Sequence, residues 1–194
     1  MVNQRTPLFI ACENAHPACV DLLLADGANV SAGDLGYVTT PLVATCYEDV
    51  NPVGLTFDQF IDNRCRCMRS LLAAGAATDQ TDNNGWTALM NATWNFRLTE
   101  ILIEAGANVN ILDKNRVSAL HLACYRLNPA VVDLFLRHNA DIDIVNKDGR
   151  TPLYYSISHP YTSTNRVAVL QLMATCAQTR LEASQADWIR LSQR

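Results

Sequence analysis

The chain has 194 residues, 49% of them apolar, which is enough to bury a sizeable core in one domain and too few to need two. A formal charge of −4, from 15 basic and 19 acidic side chains, argues against nonspecific attraction to nucleic acid or anionic membranes. Seven cysteines, an odd number, exclude a fully paired disulfide framework within one chain. No run of about 18 apolar residues could span a bilayer, and no leader pattern opens the sequence. The expectation is a soluble protein of the cytoplasm or nucleus with buried thiols.

In chain order, a short signal returns five times. Thr6-Pro7-Leu8-Phe9 opens an apolar helix pattern, followed by a second at Val20-Asp21-Leu22-Leu23-Leu24 and a close at Gly27-Ala28-Asn29-Val30. Thr40-Pro41-Leu42, Thr87-Ala88-Leu89, Ser118-Ala119-Leu120-His121 and Thr151-Pro152-Leu153-Tyr154 open further copies, at start-to-start spacings of 34, 47, 31 and 33 residues. Thr or Ser ahead of the helix can cap it, and Pro at an early helical position sacrifices no needed hydrogen bond. Gly27, Gly75, Gly106 and Asn139 follow the second helices, where a left-handed residue is wanted. Each unit is a helix pair that cannot bury its apolar face alone, so stacking supplies the core. Cys12, Cys46 and Cys124 share a register with Thr93 and Ile157, a small-residue core position near the end of the first helix. Cys19 and Cys67 share a second register, at the start of the second helix.

The departures from regularity are as informative. The 47-residue spacing exceeds the 33-residue unit by 14 residues, inserted between the two helices of the second copy. Within the insert, Thr56 followed by Gln59 reads as a capping box. Phe57, Phe60, Ile61, Cys65, Met68, Leu71 and Leu72 then fall on one helical face, so the insert extends the second helix forward by about two turns. Two readings follow. Tyr47, Val50, Val53 and Leu55 fold back over Phe57, Phe60 and Ile61, or these three form an exposed apolar docking knob. The third copy is short between its helices, which demands a tight turn, and the fifth is long there. The turn at Asp34 to Thr39 is also long, with an apolar tip at Leu35, Tyr37 and Val38. Thr179 and Glu182 form a second capping box, predicting a separate amphipathic helix over 179–194 with Leu181, Trp188 and Leu191 on one face. The first copy has no such cover. Either more chain precedes it in a larger protein or that end self-associates, and the sequence does not choose.

No chemistry-bearing constellation emerges. There is no G-x-S-x-G, H-E-x-x-H or phosphate-cradling glycine loop. The spacing of Cys65-Arg66-Cys67 with scattered histidines does not make a metal site, and no cofactor is expected. Cys65, between Arg64 and Arg66, is at most a thiol of lowered pKa without a paired base.

The T-P-L-H-x-A signature, matched by Ser118, Leu120, His121 and Ala123, together with the 33-residue unit, resembles the ankyrin repeat. The resemblance implies an all-α solenoid of helix-turn-helix units with short β-turn fingers. Five repeats would span approximately 2–34, 35–81, 82–112, 113–145 and 146–178, with the capping helix at 179–194. It also implies a non-enzymatic module that binds a protein or peptide on its concave face, where first helices and fingers meet the partner. The alternative is a substrate-recruiting adaptor of a larger complex such as a ubiquitin ligase. Carried over by register, the inner positions are Glu13, Tyr47, Trp94, Tyr125 and Ser158, then Asn14, Glu48, Asn95, Arg126 and His159. Tyr47, Trp94 and Tyr125 would form an aromatic stripe, the residue types that dominate binding hot spots. The fingers add Tyr37, Trp86, Lys114, Val117 and Arg150. His121 is implied to serve structural hydrogen bonding. Asn110, in an L…V-N pattern, resembles a target of intracellular asparaginyl hydroxylation.

Overall fold

Every repeat begins on a hydroxyl. The computed structural model describes residues 5–34, 36, 38–48, 54–158 and 163–192, with side chains up to Glu182 in the last helix. Within it the side-chain oxygens of Thr6, Thr40, Thr87, Ser118 and Thr151 each accept from the backbone N–H three residues on. That satisfies one donor that a helix start leaves orphaned. The first helices so capped are α1 (Pro7–Glu13), α3 (Pro41–Ala44), α5 (Ala88–Ala92), α7 (Ala119–Tyr125) and α9 (Pro152–Ile157). The second helices are α2 (Pro17–Ala25), α4 (Phe57–Ala73), α6 (Phe96–Glu104), α8 (Pro129–Arg137) and α10 (Thr164–Ser192).

The second helices end alike. Gly27, Gly75 and Gly106 take φ of +83°, +86° and +86°, and Asn139 takes +60°. In each case the next N–H, from Ala28, Ala76, Ala107 or Ala140, reaches back to the carbonyl of Leu23, Leu71, Leu102 or Phe135 at 2.9–3.0 Å. This is the Schellman closure, and it turns the chain into the next finger.

First helices pack on first helices and second on second, α1 on α3 through α7 on α9, and α2 on α4 through α8 on α10. The layers enclose one continuous apolar core from Leu8 to Met173. The shared cysteine register is buried as expected: Cys12, Cys46, Thr93 and Cys124 are fully enclosed. Ile157 is 50% exposed instead, because among the described residues no further first helix covers it. Cys19 also departs from the expectation of buried thiols; it is exposed on α2, while Cys67 at the same register is covered by α2 itself.

The fingers are tied sideways. Asp82, Asp113 and Asn146, one per finger, each accept two N–H groups of their own turn through the side-chain oxygen. Lys114 N–H donates to the Asn84 carbonyl at 3.0 Å, and Lys147 N–H to that of Asn115 at 2.9 Å. In the first finger, a Cβ on Gly33 would lie 1.7 Å from the Thr39 carbonyl oxygen, so only glycine lets the Asp34–Thr39 bridge close.

Two expectations for the irregular elements divide. The capping box at Thr56 and Gln59 forms in both directions, and α4 gains its forward extension. The helix break predicted at Thr179 does not occur. α10 runs unbroken from Thr164, because the Thr179 hydroxyl donates back to the Thr175 carbonyl at 2.9 Å instead of capping a new start. The side chains of Trp188 and Leu191 lie outside the described residues, as do Val50 and Val53 of the insert.

Candidate interaction surface

The inner register residues sit at the ends of the first helices, and the structure treats them unequally. Glu13 is engaged by Arg5 at 2.8 Å, which also reaches Asp34 at 3.1 Å. Tyr47 is partly buried, its hydroxyl 3.1 Å from Thr39 Oγ1, and burial raises its phenol pKa. Trp94 is partly buried too. Its indole N–H donates to the Cys46 carbonyl of the preceding repeat at 2.8 Å, and its ring meets Phe57 edge-on at 6.4 Å. Tyr125 is 55% exposed and packs edge-to-face on Tyr155 at 6.4 Å. The expected stripe therefore resolves into two aromatic groups. One is Trp94 with Phe57; the other is Tyr125 with Tyr155 and His121, the last two rings 5.2 Å apart.

The sequence reading missed the residue beneath the first group. Arg64 is fully enclosed, the largest such side chain among the described residues. Its guanidinium lies 4.4 Å from the Phe60 ring centroid and 5.8 Å from that of Trp94. It donates to the carbonyls of Thr45, at 3.2 Å, and Tyr47. Among the described residues it forms no ion pair, and Nε and Nη2 find no acceptor. Burial lowers its pKa to about 10. Position supplied the overlooked signal: Arg64 stands four residues after Phe60 and four before Met68, on the apolar face of α4.

The docking-knob expectation is corrected by burial. Phe60 and Ile61 are each 2% exposed, inserted between α4 and its neighbours, and only Phe57, at 63%, faces outward. Cys65 is likewise no reactive thiol. It is 1% exposed and burial raises its pKa, outweighing the effect of Arg97 and Arg69.

At the next register, Asn95 is occupied as the cap of α6, its side-chain oxygen accepting from Leu98 N–H at 3.3 Å. Arg126 forms an ion pair with Glu48. The two stand at the same register in the fourth and second repeats, so the pair spans the intervening repeat above Asn95. Among the fingers, the Trp86 indole donates to Asp113 Oδ2 at 3.1 Å, locking that ring between neighbours, while Val117 is partly buried. Lys114 is exposed, and Arg150 lies 5.1 Å over the Tyr154 ring. Tyr154, 45% exposed, is another surface aromatic that the sequence reading passed over, because it replaces the histidine of the repeated signature. Tyr37 and His159 lie outside the described residues.

His121 holds the structural place expected of it. Ser118 N–H donates to its Nδ1 at 3.1 Å, which leaves the ring proton on Nε2 to reach the Arg150 carbonyl at 3.1 Å. Burial lowers its pKa. Asn110 is exposed, yet both ends of its amide are engaged by the next repeat. Nδ2 donates to the Asn139 carbonyl and Oδ1 accepts from Asp141 N–H. Among the described residues no cluster of His, Cys, Asp and Glu could hold a metal ion, and no helix is long and apolar enough to cross a membrane.

Comparison with known proteins agrees with this architecture. Residues 95–180 match the model of "Ankyrin repeats (3 copies)", and residues 3–35 match "Ankyrin repeat". The chain belongs to the ankyrin-repeat family. It is 30% identical over 134 residues to "Inversin" of Homo sapiens, covering 50% of this chain and 13% of that protein. Inversin of Canis lupus familiaris is similar to the same degree. "Ankyrin repeat and KH domain-containing protein mask-1" of Caenorhabditis elegans is 29% identical over 167 residues, covering 74% of this chain and 6% of that protein. The chain thus spans a small fraction of the length of these relatives. Ankyrin repeats as a class mediate protein–protein interaction.

Proposed function

We propose that this ankyrin stack is a non-enzymatic interaction module holding a protein or peptide against the first-helix ends and fingers of repeats two to four. The observation that supports this most is the Arg126–Glu48 ion pair. By bridging over the third repeat it aligns equivalent positions of three repeats along one surface. Beside that line Phe57 and Tyr125 remain exposed, with Tyr154 next along the stack. Exposed cations at Lys114, Lys147 and Arg150 edge the same side. The partner that suits this chemistry offers an apolar or aromatic anchor flanked by carboxylates. The setting is the cytoplasm or nucleus, in keeping with seven free thiols of which five are buried.

The test compares affinity capture by the intact protein and by a Tyr125→Ala/Arg126→Ala variant, each checked for an unchanged Tm. Loss of an anchor of this type weakens binding by about 2 kcal/mol, roughly 30-fold, and depletes the specific partners. Identical partner sets for both proteins would overturn the inner-surface reading, and a ligase scaffold among the lost partners would specify it as an adaptor.

A further inference from the structure

We infer that the groove between α4 and α6, on the layer of second helices, takes a phosphorylated side chain of a protein partner, held by Arg66, Arg69 and Arg97. This goes beyond the inner-surface reading and stands without it, since it concerns the other layer of the stack.

The groove has a volume of about 420 Å³ and is lined by Gln59, Asp62, Asn63, Arg66, Arg69 and Arg97. The first five recur at intervals of three and four residues, so they form one stripe along α4, and Arg97 faces them from α6. All but Asn63 are exposed. Register explains the gathering. Counted back from the closing residues Gly27, Gly75, Gly106 and Asn139, Arg66 and Arg97 hold one place in adjacent second helices, where α2 and α8 carry Ala18 and Ala130. Arg69 holds the place of Asp21, Glu100 and Asp133, so the second repeat carries a cation where the first, third and fourth carry a carboxylate. Neighbouring helix axes stand roughly 10 Å apart, a span that two arginines can close on one group between them.

The charge is only partly answered from within. Asp62 is bonded to Arg97 at 2.7 Å, and among the described residues neither Arg66 nor Arg69 has an ion pair. The other carboxylates of the two helices, Asp58, Glu100 and Glu104, do not line the groove, and Asp21 of α2 accepts from the Ser70 hydroxyl. Three cations therefore meet one carboxylate. A phosphomonoester carries close to two negative charges and three acceptor oxygens, so it answers both uncompensated guanidinium groups, whereas a single carboxylate answers one. The amides favour a peptide over a free ion. Gln59 Oε1 is spent on Thr56 N–H, which leaves the Gln59 N–H donors, with those of Asn63, for backbone carbonyls beside the phosphate.

The test follows the arginine side-chain N–H resonances of the isotope-labelled full chain at fixed ionic strength. The probes are an acetylated Gly-phosphoserine-Gly peptide, its unphosphorylated form and inorganic phosphate. The phosphopeptide should shift Arg66, Arg69 and Arg97 together and saturably, and bind at least about threefold tighter than inorganic phosphate through the amide contacts. An Arg66→Gln/Arg69→Gln variant of unchanged Tm should bind it at least about tenfold more weakly. Asp62→Asn, which frees Arg97, should bind it roughly two- to fivefold more tightly. Shifts spread over all arginines without saturating, or equal binding of the unphosphorylated peptide, would overturn the inference. So would inorganic phosphate binding as tightly as the peptide, which marks a free-anion site. Cosedimentation with phosphatidylserine vesicles that is lost in the double variant would overturn it too, by assigning the arginines to a membrane surface.

Discussion

Replacing Trp94 with alanine tests whether its ring is a binding anchor or part of the stack. The indole belongs to the contact between the second and third repeats. It lies against Phe57 and over Arg64, and its N–H is spent on the Cys46 carbonyl. A partly buried tryptophan removes on the order of 150 Å² of apolar area from water, about 3.8 kcal/mol at about 25 cal/mol per Å². Residual compactness of the unfolded chain trims this to about 2.5–3 kcal/mol. Loss of the hydrogen bond adds about 1 kcal/mol, because the Cys46 carbonyl is left in a pocket that water enters poorly. The total, about 3.5–4 kcal/mol, lowers Tm by about 10 °C in a chain of this size. Urea denaturation followed by circular dichroism measures it, with Tyr125→Ala as the surface control expected within about 0.5–1 kcal/mol of wild type. A Trp94→Ala protein within about 1 kcal/mol of wild type would refute the packing argument and return the ring to the binding surface.

Other expectations follow from burial and charge. His121 is neutral in the folded chain with its pKa lowered from 6.5 by burial, so below that value the unfolded chain binds more protons. Stability should therefore fall as pH drops from 7.5 to 5, and His121→Gln, compared by Tm at both pH values, should lose much of that slope. Alkylation at pH 8 with mass-spectrometric readout should mark Cys19 first. Cys46, Cys67 and Cys124, with burial pushing each thiol up to about 12, should react only on unfolding, and rapid labelling of Cys65 would contradict its enclosure. Arg64→Met keeps most of the packed volume but strips the Thr45 and Tyr47 carbonyls of their donor, so it should cost about 1–3 kcal/mol. Arg64→Ala adds a cavity to that loss and should cost more, about 3–5 kcal/mol, with urea midpoints distinguishing the two.

What could be read from the sequence was what local rules decide. The hydroxyl caps, the left-handed Gly and Asn closures and the capping box at Thr56 depend on residues within one turn of each other, and all form. The box at Thr179 follows the same letters and fails, because a threonine hydroxyl inside a helix has the carbonyl four residues back as an equal partner. The surface was harder to read, because register gives position without orientation. Tyr47, Trp94 and Tyr125 share a register, but a hydrogen-bonding indole beside an exposed Phe57 turns one of them into the stack. Asn95 was placed on the surface by register, yet it is consumed by the short third repeat, which needs its cap to restart a helix after so tight a turn. Arg64 escaped notice because a charge on an apolar face is ordinarily assumed to reach water.

The departures at Tyr47, Arg64 and Trp94 gather in one stretch. The family matches cover 3–35 and 95–180 and pass over 36–94, where α3 is reduced to four residues and α4 lengthened to 17. The short α3 leaves the carbonyls of Thr45 and Tyr47 without a continuing helix to bond them, and Arg64 reaches across from α4 to take both. The long α4 in turn places Phe60 beneath that guanidinium and Phe57 against Trp94. Each irregularity thus compensates the other: the cation closes the truncated helix, and the extension supplies the rings that make burial of the cation tolerable. Shortening α4 to the regular length would remove the rings and leave the cation. The insert and Arg64 are therefore one structural unit, and it is this unit that sets Glu48 and Phe57 beside Arg126 and Trp94 on the inner surface.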